Sequence, residues 1–528
     1  MLRAPAVLLS LILVAGACSD GARSAPATTA GASTPVVTTQ PAGGTTTTPA
    51  AVTRVVVGTS RGGLPISART LGVGDMRLYV IGSMHGPLSP VDGDAVADRL
   101  SDLPPGVTVR VVDDANPDGT AAGSPTTAAG VDLGLGWGGA LGEPEVSALT
   151  DDIEAFRPAV IVVFDAASDG RYVSTNTPAD SIAAWFGAAA DVGPEAWPVA
   201  FGVDRGSQSL EAHFEARGIP VVTAVANRWD DPSWLAASLA EGVRSLSAGL
   251  LSGEPPPAAV RCDAPASCSA RTARAGAVLD AALTGGDGGF LLKRVGGPVL
   301  AAQNAGVQFY PASAIKTVHL LAALRFTGGD AALMRTPVPV FSDSCAGTGP
   351  FVEQPMGDLL DRMLLASDNE ATNALQGFFG LEALNALMAG AGMDDSALFH
   401  RFGCGGPAND PANVTTAADL VALYDGVRRG ALLPAPLSDT FFALMLNPSD
   451  GPAAPAAVPI GSFQDLGPGV DVSVKAGWFG TTLVAGGVVD TGDGPLAFAV
   501  WTDRASALTP GFEMQDVVVA LLQEELAP

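Results

Sequence analysis

The chain of 528 residues carries very little positive charge. Lysine and arginine together number 28 against 54 acidic residues, so the formal net charge is −26. Such a chain repels phosphate backbones and anionic lipid headgroups, and we expect no nucleic-acid partner. Because 47% of the residues are hydrophobic, the chain still has enough apolar material for two or three packed domains.

Lysine is the scarcest cation, with only three positions in the sequence: Lys293, Lys316 and Lys475. Arginine supplies nearly all of the other positive charges, and its guanidinium group cannot readily lose a proton. A position that keeps lysine is therefore a candidate for an amine that must deprotonate. Histidine is also scarce, and only His85 and His213 precede residue 300, which leaves few ligands for a catalytic zinc in that part.

The long apolar run is at the N-terminus. One arginine, about a dozen apolar residues and then small residues precede Cys18, a pattern typical of an export signal. The segment Val14–Cys18 resembles a bacterial lipobox, although Ala15 stands where that motif usually has leucine. The resemblance implies a lipid on Cys18 and a protein anchored to the outer face of the cytoplasmic membrane. The alternative is a plain secretory signal that is cut nearby.

Four further cysteines follow: Cys262, Cys268, Cys345 and Cys404. In an exported protein an even number suggests two disulfides, for which three connectivities exist. We favour the pairs Cys262–Cys268 and Cys345–Cys404. No Cys-x-x-Cys spacing or neighbouring histidine cluster supports a zinc knuckle.

Composition divides the chain into five segments. Residues 1–18 form the predicted signal peptide, and residues 19–52 are rich in Thr, Ala and Pro and predict a disordered tether. A Pro-rich linker at 251–268 separates two regions that have material for a core, 53–250 and 269–528.

The first of these regions alternates strand-like and helix-like runs. The strand-like runs are MRLYVIGSM, VTVRVVDDA, PAVIVVFDA and IPVVTAVAN, and the helix-like runs include EVSALTDDIEAF and SWLAASLAEGVRSLSAGLL. This order predicts an α/β domain with a mostly parallel sheet. Ligands of such sheets bind beyond the carboxyl ends of the strands.

Several motifs in this region resemble the zinc carboxypeptidase family, notably its murein-peptide amidase branch. They are GTSRGGLPI (58–66), YVIGSMHG (79–86), DDANPDGTAAGSPTTAAGVDL (113–133) and PAVIVVFD (158–165). The resemblance implies a carboxypeptidase-like fold that binds wall peptides, positions the second region or merely supports it.

The same comparison implies that the metal chemistry is lost. His85 matches a zinc ligand, but Leu88 stands in place of the glutamate ligand and Asp165 in place of the second histidine. Other residues expected by the family are replaced at Pro125, Gly134, Leu135 and Ala224-Val225-Ala226. We therefore expect no metal, no cofactor and an inactive domain. A site built from His85, Asp165 and a third, unexpected ligand, in an active zinc peptidase, is the alternative.

The second region predicts an antiparallel sheet flanked by helices. It starts with a helix-like stretch and two strand-like runs, continues with helical and loop elements, and ends with strand, hairpin, strand and helix. Its segment FYPASAIKTVHLLAAL (309–324) places Ser313 and Lys316 three positions apart at the start of an apolar helix.

At the amino end of that helix, free N–H groups and the helix dipole favour negative charge on the Ser313 oxygen. Lys316 lies one turn on, and a desolvated lysine has a lowered pKa, so it could take the serine proton. The alternative is an ordinary helix cap at Ser313 and a Lys316 side chain that reaches water.

Two further stretches carry polar side chains at positions where they could line a cleft. LLASDNEATNAL places Ser367-Asp368-Asn369 between two helix-like runs, although Ser367 and Glu370 also fit a capping box. VDVSVKAGWFG alternates, so Lys475 lies on the polar face of a strand. Gly477 allows a substrate or another backbone to approach closely.

Together these three motifs resemble those of the penicillin-recognising serine hydrolases, which include class A β-lactamases and D,D-peptidases. The resemblance implies a role for each matched position. Ser313 is the acylated nucleophile and Lys316 its base, Ser367 relays a proton to the leaving nitrogen, Asn369 holds Lys316 and substrate, and Lys475 attracts the substrate carboxylate. The backbone N–H groups of Ser313 and Trp478, next to Gly477, form the oxyanion hole.

Two departures from that family limit the expected activity. Ala476 replaces a threonine or serine that contacts the substrate carboxylate, and no glutamate lies between Met393 and Leu420 to activate a deacylating water. We expect a monomeric, exported serine hydrolase that is acylated by cell-wall peptides or β-lactams but hydrolyses β-lactams poorly. The alternative is a non-catalytic wall-binding or scaffold lipoprotein in which both halves have decayed.

Overall fold

A computed structural model describes most of the two predicted globular regions. The described residues are 52–89, 91–138, 142–167, 171–189, 197–200, 205–259, 261–262, 270–282, 287–404, 411–445, 471–491 and 494–503. All of them fall within the unit Pro49–Pro528. The predicted signal peptide with Cys18, almost all of the predicted tether, Cys268 and the predicted C-terminal helix lie outside the described residues. No helix among the described residues is long and apolar enough to span a bilayer.

A nine-stranded sheet comprises eight strands of the first region and one short strand from the segment 251–268, which the sequence predicted as a linker. Its strands are β1 (Thr53–Thr59), β2 (Pro65–Gly72), β3 (Met76–Ile81), β4 (Val107–Val112), β5 (Val160–Ala167), β6 (Tyr172–Thr175), β7 (Val199–Ala200), β8 (Val221–Asn227) and β9 (Arg261–Cys262), in the spatial order β1-β2-β4-β3-β5-β8-β6-β7-β9. Five of the eight pairings are parallel: β3 with β4, β3 with β5, β5 with β8, β6 with β7 and β7 with β9. The sheet is therefore mostly parallel, as the alternation of the sequence predicts.

Helices cover both faces of this sheet. They are α1 (Gly93–Ala97), α2 (Pro117–Ala122), α3 (Pro144–Phe156), α4 (Ala183–Ala189), α5 (Leu210–Glu215) and α6 (Pro232–Ser252). Successive strand residues point to opposite faces, so Val80 joins the core under α6 while Tyr79 and Ile81 join the core under α3. The carboxyl ends of β3, β5 and β8 consequently meet at one edge of a sheet that is buried on both sides.

The second region contains a five-stranded antiparallel sheet. Its strands are β10 (Asp287–Arg294), β11 (Val299–Gln303), β14 (Asp471–Phe479), β15 (Thr482–Thr491) and β16 (Gly494–Asp503), in the order β11-β10-β16-β15-β14, and a separate hairpin is formed by β12 (Pro337–Asp343) and β13 (Thr348–Pro355). The helices are α7 (Ala270–Ala282), α8 (Lys316–Thr327), α9 (Met356–Leu365), α10 (Asn369–Phe379), α11 (Leu381–Ala389), α12 (Ala417–Arg428) and α13 (Ala435–Leu444). Among the described strands, β14 lies at the edge of its sheet.

The hairpin β12–β13 corrects the sequence interpretation, which expected only helices and loops in the middle of this region. Its turn carries Cys345, which forms the predicted disulfide with Cys404. Arg401 donates a hydrogen bond of 2.6 Å to the backbone oxygen of Ser344, so the turn and the segment before Cys404 are joined twice. The predicted pair Cys262–Cys268 is untested because Cys268 lies outside the described residues.

The two regions touch through the loop that follows β8. The Asp230 carboxylate accepts a hydrogen bond of 2.6 Å from the backbone N–H of Val299, and the N–H of Asp231 donates one of 3.0 Å to Gly297. Trp229 packs against the apolar core of the second region. Asp230 is buried, so this contact is part of the folded interior rather than a surface encounter.

Candidate active site

Ser313 lies in the turn of residues 312–315 that leads into α8. The turn is held by a hydrogen bond of 3.2 Å from the N–H of Lys316 to the Ser313 carbonyl oxygen. Ala312, next to Ser313, has a φ of 44°, a left-handed conformation that is costly for a residue with a side chain. The cap position of α8 is Ile315, and no side chain caps this helix. Ser313 is therefore not the ordinary helix cap that the alternative interpretation expected.

Lys316 is fully buried, and its side chain does not reach water. Its Nζ donates hydrogen bonds of 2.6 Å to the backbone oxygen of Ser367 and 2.8 Å to Oδ1 of Asn369. Burial, together with the positive charge of Lys475, lowers the pKa of Lys316 to about 7. A neutral amine has two hydrogens, which these two contacts use, so its lone pair remains available for a proton.

The direct hydrogen bond between Ser313 and Lys316 that the sequence hypothesis expects is not formed. The hydrogen bonds of the Lys316 amine with described residues all go to Ser367 and Asn369. Catalytic hydrogen bonds are often long without substrate and shorten when it binds. The structure thus gives a buried amine with a lowered pKa, but not its contact with the hydroxyl.

Ser367 stands between the two lysines of the site. Its Oγ lies 3.4 Å from Nζ of Lys316 and 3.3 Å from Nζ of Lys475. Its φ is 54°, a second left-handed residue beside the site. The capping box expected as the alternative for Ser367 is not formed, because Asp368 caps α10 by accepting hydrogen bonds from the N–H groups of Glu370 and Ala371.

Lys475 is a buried cation without a carboxylate partner among the described residues. It is 3% exposed, and its Nζ donates hydrogen bonds to the Leu364 carbonyl oxygen (3.2 Å) and to Ser367 Oγ (3.3 Å). Burial lowers its pKa to about 8. An unpaired buried charge is costly, so this ammonium favours an incoming anion.

Gly477 brings the edge strand β14 against Ser313. A Cβ atom at Gly477 would lie 2.3 Å from the backbone nitrogen of Ser313, so only glycine allows this approach. The sequence left open whether a substrate or another backbone comes close to Gly477, and the structure shows a backbone. Ala476 is buried and Trp478 is 45% exposed.

In the first region, His85 is enclosed by two carboxylates. Its Nε2 lies 2.9 Å from Oδ1 of Asp132, and its Nδ1 lies 3.1 Å from Oδ1 of Asp165. Burial disfavours a charged ring, but the hydrogen bonds to both aspartates outweigh it and raise the pKa of His85 to about 10. Arg205 donates a hydrogen bond of 2.6 Å to the other oxygen of Asp165.

These contacts engage both ring nitrogens of His85 and so argue against the alternative zinc site of His85, Asp165 and a third ligand. A doubly protonated imidazole has no lone pair for a metal, and the Arg205 guanidinium already neutralises Asp165. Within the described ranges no group of three or more His, Cys, Asp or Glu residues is arranged to hold a metal ion. The sequence interpretation missed Asp132 and Arg205 as partners, because neither lies near Asp165 or His85 in the chain.

Comparison with protein families matches residues 272–522 to the Beta-lactamase enzyme family. The region with Ser313 and the antiparallel sheet is thus similar in sequence to β-lactamases, whereas the match does not include the nine-stranded sheet. Comparison with curated proteins gives no match.

Several solved structures are similar to about half of the chain. They include the β-lactamase from Sphaerobacter thermophilus (24% identity, TM-score 0.41, 48% of this chain and 98% of that chain), PBP-A (19%, 0.40, 48% and 96%) and the β-lactamase from Desulfarculus baarsii (21%, 0.41, 49% and 98%).

Proposed function

We propose that the second region is a serine hydrolase of the penicillin-recognising type, acylated at Ser313 by an amide of a cell-wall peptide or a β-lactam. The observation that carries this proposal is the environment of Lys316. A fully buried amine with a pKa of about 7, and with no carboxylate partner in the part of the chain that the structure describes, lies three positions from a serine. A lysine that served only to stabilise the fold would be expected to pair with an acid or to reach water.

The proposed acylation begins when neutral Lys316 accepts the proton of Ser313. The Oγ then forms a bond to the carbonyl carbon of the substrate, and the carbon–nitrogen bond of the amide breaks. Ser367, which touches both lysines, relays a proton to the leaving nitrogen. Lys475 holds the substrate carboxylate, and Asn369 keeps Lys316 in position.

The oxyanion of this reaction would be stabilised by the backbone N–H groups of Ser313 and Trp478. Each such donor contributes about 3 kcal/mol to transition-state stabilisation in enzymes of this kind. Gly477 supports the assignment, because it places the strand that carries Trp478 against the Ser313 nitrogen.

We expect deacylation to be the slow step of the proposed reaction. The side chain that covers Lys316 from the loop before α12 is Phe402, whose ring centroid lies 5.5 Å from Nζ. The carboxylate of Asp419, on α12, accepts hydrogen bonds from Ser396 Oγ and the N–H of Asp395. With no described carboxylate hydrogen-bonded to Ser313 or Lys316, we expect a long-lived acyl-enzyme and slow turnover of β-lactams.

The remaining parts of the proposal concern location and the first region. Lipid on Cys18 and the tether 19–52 would hold a monomeric protein at the outer face of the cytoplasmic membrane, where cell-wall substrates are found. The first region, without metal, would support the catalytic region or bind wall peptides. Labelling of cells with a palmitate analogue tests the anchor, because Cys18→Ser would then abolish incorporation.

A fluorescent penicillin tests the acylation directly. Wild-type protein should carry a covalent label that mass spectrometry maps to Ser313, and Ser313→Ala should carry none. Ser147→Ala is a matched control, because Ser147 is an exposed serine in α3 of the first region. Equal labelling of wild type and Ser313→Ala would reject the proposal.

The missing hydrogen bond between Ser313 and Lys316 favours the second candidate, a wall-binding scaffold without catalysis. That candidate expects sedimentation with purified peptidoglycan and no covalent label from penicillin. An active zinc peptidase, the third candidate, requires stoichiometric zinc in the purified protein. We expect metal analysis to find none, because both nitrogens of His85 are engaged by aspartates.

A further inference from the structure

The Phe402 ring contacts two basic side chains of α8. Nζ of Lys316 lies over this ring at 5.5 Å from its centroid, and the His319 ring meets it edge to face, with the two centroids 5.7 Å apart. Lys316 and His319 are three positions apart, so they lie on one face of the helix. The ring that covers the proposed base therefore also packs against a second residue of the same helix.

His319 has no part in the proposed acylation, although it is fully buried one turn from Lys316. Burial, together with the charge of Lys316, lowers the pKa of His319 to about 3, and the Gln376 side chain and the Ile315 backbone oppose this shift only in part. The imidazole is thus uncharged at neutral pH. It packs against Phe402 without placing a second positive charge beside the amine.

The backbone of Phe402 is held without help from His319. Asn373 accepts a hydrogen bond of 2.7 Å from the N–H of Phe402 and donates one of 3.0 Å to its carbonyl oxygen, and Gln376 donates one of 3.3 Å to the carbonyl oxygen of His400. These bonds fix the main chain but not the side-chain rotamer of Phe402. The direction of the ring is set by the side chains that it packs against, and His319 is one of them.

We propose that His319 is a positioning residue for the proposed base: it holds the Phe402 ring over Lys316, so that the ring excludes water from the amine. The inference rests on the proposed role of Lys316 in acylation and adds a residue that acts on this base through Phe402. Removal of the imidazole should allow the Phe402 ring to turn away and water to reach Lys316.

The charges around Lys316 are the same with and without His319. Burial is the main cause of the low pKa of Lys316, the charge of Lys475 on β14 adds to it, and Asp368 in the turn before α10 opposes it. Both charged residues remain when His319 is replaced, and the neutral imidazole has no charge to lose. A higher pKa of Lys316 in a His319 variant would therefore report water at the amine.

The scarcity of lysine allows this pKa to be measured without a substrate. Full-length protein labelled with carbon-13 at the lysine ε-carbon gives one NMR signal for each of Lys293, Lys316 and Lys475, which are assigned by replacing each lysine with methionine. His319→Ala should raise the pKa of Lys316 by about one pH unit, because part of its burial is lost. The second-order rate constant of acylation by benzylpenicillin, from intact-protein mass spectrometry, should then fall about tenfold at pH values well below 7, with the fraction of neutral amine.

Three further variants separate positioning from a general effect on the fold. His319→Leu keeps an apolar side chain against Phe402 and should leave the pKa of Lys316 unchanged. In a Phe402→Ala background, His319→Ala should cause no further shift if it acts through Phe402. Leu324→Ala is the matched control, because Leu324 is fully buried on the same helix about 12 Å from Lys316. It should lower stability and leave this pKa unchanged.

An unchanged pKa of Lys316 in His319→Ala, an equal rise in His319→Leu, or shifts that add in the double variant would each overturn the positioning role. An unchanged Lys293 signal verifies that a variant keeps its fold. His319→Val, whose side chain is also shorter than the imidazole, replaces an alanine variant that does not fold. The proposed function fails separately: if benzylpenicillin does not acylate wild-type protein, the acylation is rejected, and the NMR titration still decides whether His319 positions Phe402.

Discussion

The Nζ of Lys316 donates a hydrogen bond of 2.6 Å to the backbone oxygen of Ser367, whose own conformation is left-handed. A backbone oxygen cannot take up a proton from the amine, unlike a carboxylate, and it does not stabilise the ammonium as a counter-ion. The contact orients the amine while burial keeps its pKa near 7. The proposed lysine base is thus held in place without a counter-ion that would keep it charged.

The pH dependence of acylation should be bell-shaped. Lys316 must be neutral to accept a proton, so the rate should rise as pH passes through about 7. Lys475 must be charged to bind a carboxylate, so the rate should fall as pH passes through about 8. The second-order rate constant of acylation by benzylpenicillin, measured across this pH range, gives both the rise (the acid limb) and the fall (the alkaline limb). A rate that keeps rising well above the second value would show that Lys475 does not bind the substrate carboxylate.

Lys475→Met should weaken acylation and alter the profile. Loss of a charged hydrogen bond to the substrate should lower the second-order constant by about 10- to 100-fold. Burial is the main reason for the low pKa of Lys316 and the charge of Lys475 adds to it, so the acid limb should move to higher pH. The alkaline limb should disappear.

Lys293→Met is the control for that variant. Lys293 is also a buried lysine, but its Nζ lies 3.6 Å from the Asp425 carboxylate, in an ion pair away from the site. We expect it to reduce stability and leave the positions of both limbs unchanged. A shift of the acid limb in Lys293→Met equal to that in Lys475→Met would contradict a local effect.

Phe402→Ala should raise the pKa of Lys316 by admitting water beside the amine. Phe402 is 3% exposed, and its backbone is fixed by two hydrogen bonds with the Asn373 side chain, so the loop should keep its place. The acid limb of the profile should therefore move to higher pH.

Phe402→Leu separates exclusion of water from the attraction of the ring for a cation. An aromatic ring by itself stabilises an ammonium, so leucine, which stays apolar and loses that attraction, should leave the pKa of Lys316 unchanged or lower. Equal upward shifts in the alanine and leucine variants would show that exclusion of water is not the role of Phe402.

Asp165→Asn should destabilise the first region by about 3 kcal/mol, because it removes the charge that Arg205 and His85 share in the interior. The free energy of unfolding from urea titration measures the loss. Asp75→Asn, at an exposed position, should change it by less than about 0.5 kcal/mol. A neutral result for Asp165→Asn would mean that the ion pairs do not stabilise the fold.

The sequence predicted best what depends on local pattern. The valine-rich run of β5 and the apolar residues of α8 are long and regular, and both elements are present near the predicted positions. The scarcity of lysine pointed to Lys293, Lys316 and Lys475; the last two are buried at one site, whereas Lys293 is paired with Asp425. These features can be predicted from the sequence because composition and hydrophobic periodicity indicate which residues are buried.

The sequence did not predict features that depend on contacts between residues far apart in the chain. Strand β13 is exposed along most of its length, so it has no alternation of buried and exposed residues that would reveal a strand. The shortest hydrogen bond of Lys316 goes to the carbonyl oxygen of Ser367, a group that every residue possesses, whereas the motif identified only the hydroxyl of Ser367. The contact between His85 and Asp132 forms only when the edge of the sheet is folded, so the sequence could not predict it.

The contact that Trp229, Asp230 and Asp231 make between the two regions has a practical consequence for expressing either region alone. A fragment that began after the Pro-rich linker would leave the N–H of Val299 without its acceptor and bare the apolar surface that Trp229 covers. Such a fragment would be prone to aggregate. Expression of the second region should therefore start ahead of Thr53, so that the first region continues to supply these contacts.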